Sequence, residues 1–299
     1  MSESTATVKA LAPWFGGKRN LAAWIVAELG EHTCYWEPFC GSMAVLLAKQ
    51  AVTMETVNDL HGDLVNLAEV IRDPCDGPIL YRRLRRTLMD EAVFKTCDSM
   101  VREQERLGVQ MDTDRVSRAY CYFVASWLGR SGCAGQSAAK KGTYCVRFTK
   151  NGGHAAKRFR SAVDSIPAWR RRLRNVTILS RDGFGLLERI EDAEGTAIYV
   201  DPPYLVKGAE YLHDFELGDH RRLAELLHRF DRARVVVSYY AHQALSVLYP
   251  GWTRVSQTVP KALAHQRGRG ANEATATEVL LINGRSYTRR SAEPSLFAV

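Results

Sequence analysis

The sequence predicts an α/β chain, in which one doubly wound nucleotide-binding domain is interrupted by a basic, mainly helical insert. Three observations lead there. Apolar strand-like runs alternate with amphipathic helical runs at both ends of the chain. The alternation stops between residues 76 and 175, and that same stretch carries the whole excess of positive charge. The 299 residues include 41 Lys or Arg and 33 Asp or Glu, a net charge of +8. Residues 76–175 hold 21 basic against 9 acidic side chains (+12), and the remaining 199 residues hold 20 against 24 (−4). On charge alone this fits either a solvated helical surface or a polyanion-binding subdomain set in a near-neutral scaffold.

Taken in order, Leu21, Trp24, Ile25 and Leu29 share one helical face, and Gly30 follows as a C-terminal cap. Tyr35-Trp36-Glu37-Pro38-Phe39 reads as a short buried strand that leads through Cys40-Gly41-Ser42 into a helical run, Ala44 to Ala48. Residues 54–58 form a second strand ending at Asn58-Asp59, and a helix over Asp63 to Arg72 is closed by Asp73-Pro74. Residues 78–128 look like successive helices. Residues 129–160 are rich in Gly, Ser, Ala, Lys and Arg, and Ser161 to Arg174 is helical again. Strands follow at 176–179, 197–200, 234–238, 253–257 and 278–282, with helices over 184–190, 219–230 and 241–248. The predicted division is therefore 1–75 with 176–299 for the α/β domain and 76–175 for the insert.

Hydrophobic content of 46% and charged content of 25% exclude disorder as the main state. No run approaches the length of a membrane span, and Met1 to Ala12 lacks a basic head followed by an apolar stretch. A cytoplasmic protein with no membrane partner is expected. The seven Cys, at 34, 40, 75, 97, 121, 133 and 145, contain no C-x-x-C pair, so no metal site is expected.

The segment that carries chemistry is Ile198-Tyr199-Val200-Asp201-Pro202-Pro203-Tyr204. Two prolines bar continuation of both strand and helix, so the chain turns out at the carboxyl edge of the sheet, where open α/β sheets bind ligands. Asp201 and the Pro202 carbonyl can each accept one hydrogen of an exocyclic amine, and Tyr204 can stack on a planar base. Two acceptors draw the amine lone pair out of conjugation with the ring, so that nitrogen can attack an electrophile. Elsewhere Gly41 permits a tight turn at a helix N-terminus, and Phe39 offers a ring face. Asp59 closes the second strand, where a carboxylate can accept ribose hydroxyls. Gly16-Gly17 lets backbone approach a ligand closely, and Lys18 adds a cation.

Asp201-Pro202-Pro203-Tyr204 resembles the catalytic motif of DNA adenine-N6 methyltransferases. Glu37 to Ser42 resembles their S-adenosylmethionine loop, and Pro13-Trp14-Phe15-Gly16-Gly17-Lys18 the N-terminal motif of the Dam-like alpha group. The motif order is also that of the group, and the resemblance spans most of residues 9–283. It implies a Rossmann-like methyltransferase domain with an inserted target-recognition subdomain, S-adenosylmethionine as cofactor and duplex DNA as partner, in a bacterial or phage-infected cell. It implies cofactor-binding roles for Trp14, Lys18, Glu37, Phe39, Gly41, Asp59 and Asp182, with Glu37 and Phe39 at the methionine end and Asp182 at the adenine amine. Asp201, Pro202, Pro203 and Tyr204 would be catalytic. The expected reaction is direct in-line methyl transfer to adenine N6 after the base is flipped out of the duplex. Met43 departs from the family, which usually has a small residue there.

Within the insert, Arg130, Lys140, Lys141, Arg147 and Lys150 lie in a Gly-rich stretch with Tyr144 and Phe148 interleaved, and Lys157, Arg158 and Arg160 follow. These, with Arg170, Arg171, Arg172 and Arg174, are candidates for phosphate contact. Tyr120, Tyr122, Phe123 and Trp127 read as core, and Ser238-Tyr239-Tyr240 as a wall of the base pocket. Glu293 to Phe297 resembles a sliding-clamp peptide through Leu296 and Phe297. The rival expectations are an amine methyltransferase acting on RNA and a DNA-binding module that has lost catalysis.

Overall fold

A computed structural model of the chain describes residues 8–14, 16–107, 114–129, 142–146, 155–205, 215–260 and 275–288. Seven strands, β1 (Cys34–Glu37), β2 (Met54–Asn58), β3 (Thr177–Leu179), β4 (Thr196–Val200), β5 (Arg234–Tyr240), β6 (Thr253–Pro260) and β7 (Thr275–Ile282), form one sheet. Its order is β3-β2-β1-β4-β5-β7-β6. The first five pair in parallel, and β7 runs antiparallel to both β5 and β6. The chain steps outward from β1 to β2 and β3, then returns to the other side of β1 as β4. That reversal leaves a crevice at the carboxyl ends of β1 and β4, the place where such sheets take ligands.

β4 is buried along its whole length, as a central parallel strand covered on both faces must be. Its alternation sorts side chains into two cores. Ala197 and Tyr199 join Tyr35, Val57 and Val236 on one face, whereas Ile198 and Val200 join Val235, Val237 and Leu281 on the other. The first face is covered by α1 (Ala22–Leu29), α2 (Ala44–Ala48), α3 (Gly62–Arg72), α4 (Asp76–Arg86), α5 (Glu91–Leu107), α6 (Arg115–Leu128) and α7 (Ala155–Leu173). The second is covered by α8 (Gly183–Leu187), α9 (Leu217–Leu227) and α10 (Leu245–Leu248). None of the described helices is long and apolar enough to cross a membrane.

The predicted elements are present, with shifts that have local causes. α7 begins at Ala155, earlier than the expected Ser161. The helix expected over 241–248 shrinks to Leu245–Leu248. Its first residues are held elsewhere: Ala241 N–H donates to Thr277 O, and the His242 ring accepts from Ala244 N–H. α6 is capped by Asp114, which accepts from Val116 N–H and Ser117 N–H.

The helices of residues 76–175 share the sheet's own core. Phe123, Trp127, Phe159 and Trp169 are fully buried with Tyr35 and Leu64. Two of these rings also hold the N-terminal segment. Trp169 Nε1–H donates to Val8 O at 2.7 Å, and Trp127 Nε1–H donates to Leu11 O at 3.0 Å. They fix the chain just ahead of Trp14 and Lys18.

A buried ion network ties α7 to β2. Glu55 takes a bidentate pair from Arg172 at 2.5 and 2.7 Å and a further bond from Lys49 at 2.6 Å. Burial alone would push the Glu55 carboxyl up, but Arg172 and Lys49 hold it below the usual range. Arg172 also donates to Leu46 O in α2. This cation, expected among the phosphate contacts, therefore has a structural role. Arg172→Ala leaves a buried carboxylate short of its main partner and should lower the unfolding free energy by about 3 kcal/mol at pH 7. Urea denaturation checks this, and a change below about 0.5 kcal/mol, the size of an ordinary surface substitution, would count against the network.

Candidate active site

Two loops meet at the reversal point. The first leaves β1. Gly41 turns it with φ of 43°, and a Cβ there would stand 2.9 Å from Trp14 Nε1, so the Trp14 ring lies directly on the loop. Met43 also has positive φ, 57°, and opens α2 in the left-handed region. A residue without a Cβ is favoured there, which explains why a small residue is usual. Met43 is fully buried, with its side chain in the core beneath the sheet. The long side chain therefore leaves the crevice clear.

Residues at the end of β2 clamp this loop. Asp59 accepts Gly41 N–H at 2.8 Å through one oxygen and His61 N–H at 2.9 Å through the other. His61, rather than Asp59, caps α3 by accepting Leu64 N–H on its ring. Asn58 donates to Pro38 O and Arg181 O and accepts Arg181 N–H. One side chain thus joins the loops after β1, β2 and β3. Asp182 caps α8 by accepting from Phe184 N–H and Gly185 N–H. Phe39 leans over the start of that helix, where a Cβ on Gly183 would come within 2.6 Å of its ring. It meets Phe184 and Phe215 edge to face.

Glu37 ends β1 beneath the loop and is 2% exposed. Tyr35 O–H donates to it at 2.9 Å. Burial, reinforced by the charge of Asp201, pushes its carboxyl up to about 8. A desolvated carboxyl of this kind is suited to an incoming cation.

The second loop leaves β4 at Asp201. One carboxylate oxygen accepts from Ser238 O–H at 2.8 Å, and the other pairs with Lys18 Nζ at 2.9 Å. Lys18 also donates to Gly16 O at 2.6 Å and stands 4.8 Å from the Tyr204 ring centroid. Burial alone would lower the Lys18 pKa, but Asp201 and Glu278 more than offset it and raise it. Tyr204 packs edge to face on Tyr240 and donates its O–H to Glu278 at 3.0 Å. Burial, with the charges of Asp201 and Glu278, raises its phenol well above the usual range, so it remains a donor.

The crevice brings together Trp14, Lys18, Glu37, Phe39, Gly41, Asp59 and Asp182 with Asp201, Pro202, Pro203 and Tyr204. Lys18 lies on the Asp201 side of it. Of the expected pocket wall, Ser238 hydrogen-bonds Asp201 and Tyr240 packs on Tyr204, whereas Tyr239 is buried in the core. Glu278 escaped notice, although a lone carboxylate opening the apolar run Val279 to Ile282 was a visible signal. The β5–β7 register sets it opposite Tyr240. Lys157 is exposed on α7. Arg158 donates to Trp127 O and Gly129 O and so holds the end of α6. Arg130, Lys140, Lys141, Arg147 and Lys150 lie outside the described residues, as does the Leu296-Phe297 pair.

No curated protein matches the chain at a significant level. A family model does. It covers residues 14–258, from the Trp14 ring that lies on the β1 loop through both loops of the crevice and into β6. By that match the chain belongs to the D12 class of N6 adenine-specific DNA methyltransferases.

Proposed function

We propose that this chain transfers the methyl group of S-adenosylmethionine directly to N6 of an adenine extruded from duplex DNA. The observation that carries the reading is the Asp201 carboxylate at the end of β4. It already receives an N–H donor at 2.9 Å, beside an aromatic ring and across from the β1 loop. An exocyclic amine on a planar base presents the same donor to the same acceptor. Asp201 takes one amine hydrogen and the Pro202 carbonyl the other, while the base rests on Tyr204. The nitrogen lone pair is then free of the ring and directed at the methyl donor. Nitrogen becomes cationic as the N–C bond forms, and Asp201 stabilises that charge. Its surplus proton leaves to solvent by way of Asp201.

The β1 side of the crevice suits S-adenosylmethionine, which when bound supplies an electrophilic methyl group on a sulfonium. Gly41 and Trp14 form a tight floor, Asp59 and Asp182 place carboxylates at the ends of β2 and β3, and Phe39 adds a ring. Glu37 provides the buried acid for the methionine ammonium. Residues 76–175 supply the DNA face. On the described part, Arg82, Arg85 and Arg86 of α4 and Lys157 of α7 are exposed. Arg130, Lys140, Lys141, Arg147 and Lys150 add to it.

Three outcomes follow from this arrangement. Asp201→Ala should lower methyl transfer by about 10³-fold or more while leaving cofactor affinity nearly unchanged. Radiolabelled methyl incorporation and calorimetry read the two quantities, and near wild-type transfer would defeat the mechanism. Duplex affinity should fall by at least about 10³-fold between about 50 and about 200 mM salt, with cofactor affinity changing far less. Equal salt slopes would remove the division between a basic DNA face and an acidic cofactor crevice.

The third concerns Glu37. Its carboxyl is raised by burial, so in the unliganded protein its ionisation opposes folding, and that loss of stability grows as pH rises from about 4.5 to about 8. A cation at this site favours the carboxylate. Cofactor binding should therefore release protons at pH 7, and affinity should rise between about pH 6 and about pH 7.5. Calorimetry in buffers of different ionisation enthalpy measures the release. Glu37→Gln should abolish it, and an unchanged proton count in that variant would assign the effect elsewhere.

A further inference from the structure

Lys18 stands where the target adenine has to go. Its ammonium holds the Asp201 oxygen that an amine needs, and it lies over the Tyr204 ring that a base needs. It is also 4% exposed, so water cannot take over from Asp201 as its partner. When a base enters, the ammonium has to leave Asp201 and still face a negative charge, because an unpaired charge in a buried site is strongly unfavourable. The second carboxylate that acts on Lys18 is Glu278.

Glu278 is well placed for this exchange. The β5–β7 register sets it opposite Tyr240, whose ring packs edge to face on Tyr204. Its carboxyl receives the Tyr204 O–H at 3.0 Å, so one side chain sets the plane of the stacking ring and bears a charge beside it. Burial pushes that carboxyl upward against the pull of Lys18. A closer ammonium would stabilise its ionised form further.

We propose that Glu278 is a positioning residue that receives the Lys18 ammonium when the target base displaces it from Asp201. The pocket is then self-closed without DNA, with Lys18 acting as an internal stand-in for the substrate amine. Base entry moves the ammonium along the Tyr204 ring to Glu278. This leaves Asp201 open on one oxygen, with Ser238 still donating to the other. The inference rests on the adenine reading above and adds a residue and a motion to it.

The test uses the full chain and a duplex bearing the site it methylates, identified by sequencing DNA from a host that expresses it. 2-Aminopurine at the target position reports extrusion by its fluorescence. Glu278→Gln keeps an acceptor for the Tyr204 O–H but removes the charge. It should raise the KM for duplex by about tenfold, lower the fluorescence rise and leave cofactor affinity unchanged. Lys18→Met combined with Glu278→Gln leaves no ammonium to hand over, and should restore the fluorescence rise towards wild type. A Glu278→Gln protein that extrudes the base like wild type would overturn the proposal, as would a double variant no better than Glu278→Gln. A wild-type chain that methylates no DNA would instead overturn the underlying reading, and this inference with it.

Discussion

The parallel pairing of β1 with β4 is the constraint on which the rest depends. Cys34, Tyr35 and Trp36 align with Thr196, Ala197 and Ile198 across some 160 residues of intervening chain. The register brings the loop after Glu37 and the turn at Asp201 to one edge, side by side. Both loops are forced outward there, one by Pro38 and a left-handed Gly41, the other by two successive prolines. No helix can cross that gap, because the chain reverses its direction of travel along the sheet at this point. The parts that define the site from outside the sheet are then attached to this edge. Asp59 bonds the β1 loop, Asn58 joins three loops, and the tryptophans of α6 and α7 hold the segment that delivers Trp14 and Lys18.

A second consequence is electrostatic. Burial raises the cost of ionising Glu37 and Glu278, and the nearby charge of Asp201 adds to it for both. Lys18 is the resident cation among them. Folding alone would favour apolar residues at these positions. The pocket is therefore stable at the expense of some of its own binding groups, and it regains that free energy when positive charge enters or develops. In the proposed reaction a sulfonium cofactor would bring such a charge, and so would an amine nitrogen during methyl transfer. Strain of this kind belongs at functional sites, where complementarity is to a state reached only with substrate.

Much of this was legible in the sequence because the signals were local. β4 and β5 were visible as apolar runs, since central parallel strands are buried on both faces and leave a continuous hydrophobic trace. Asp201 to Tyr204 and Gly41 were visible because prolines and glycines restrict the backbone directly. Met43 was visible as a departure, but its effect depended on the direction of a side chain. Three things were hidden. Lys18 reads as a cofactor ligand from its motif, yet its partner is Asp201, 183 positions away. Glu278 owes its place to strand register, which pairs it with Tyr240 across a ladder that periodicity does not specify. The short α10 was overestimated because its first residues are committed to β7 and to a local turn.

Charge count also says less than charge placement. The +12 of residues 76–175 includes cations spent within the fold. Arg115 and Arg118 pair with Asp73 and Asp63, and Arg172 with Glu55, all three acids lying outside that segment. Arg158 and Arg160 are tied to carbonyls of Trp127, Gly129, Arg85 and Thr87. These contacts tie the helices to one another and, through Arg172 and Glu55, to β2, so the described part of this segment also completes the core over β1 and β2. Among the described residues, the cations left exposed include Arg82, Arg85 and Arg86 of α4 and Lys157 of α7. Exposed charges that have no acidic neighbour are the ones whose counterions a polyanion can displace. The described helices of the basic segment therefore share the scaffold's core, with Arg82, Arg85, Arg86 and Lys157 exposed on their surface.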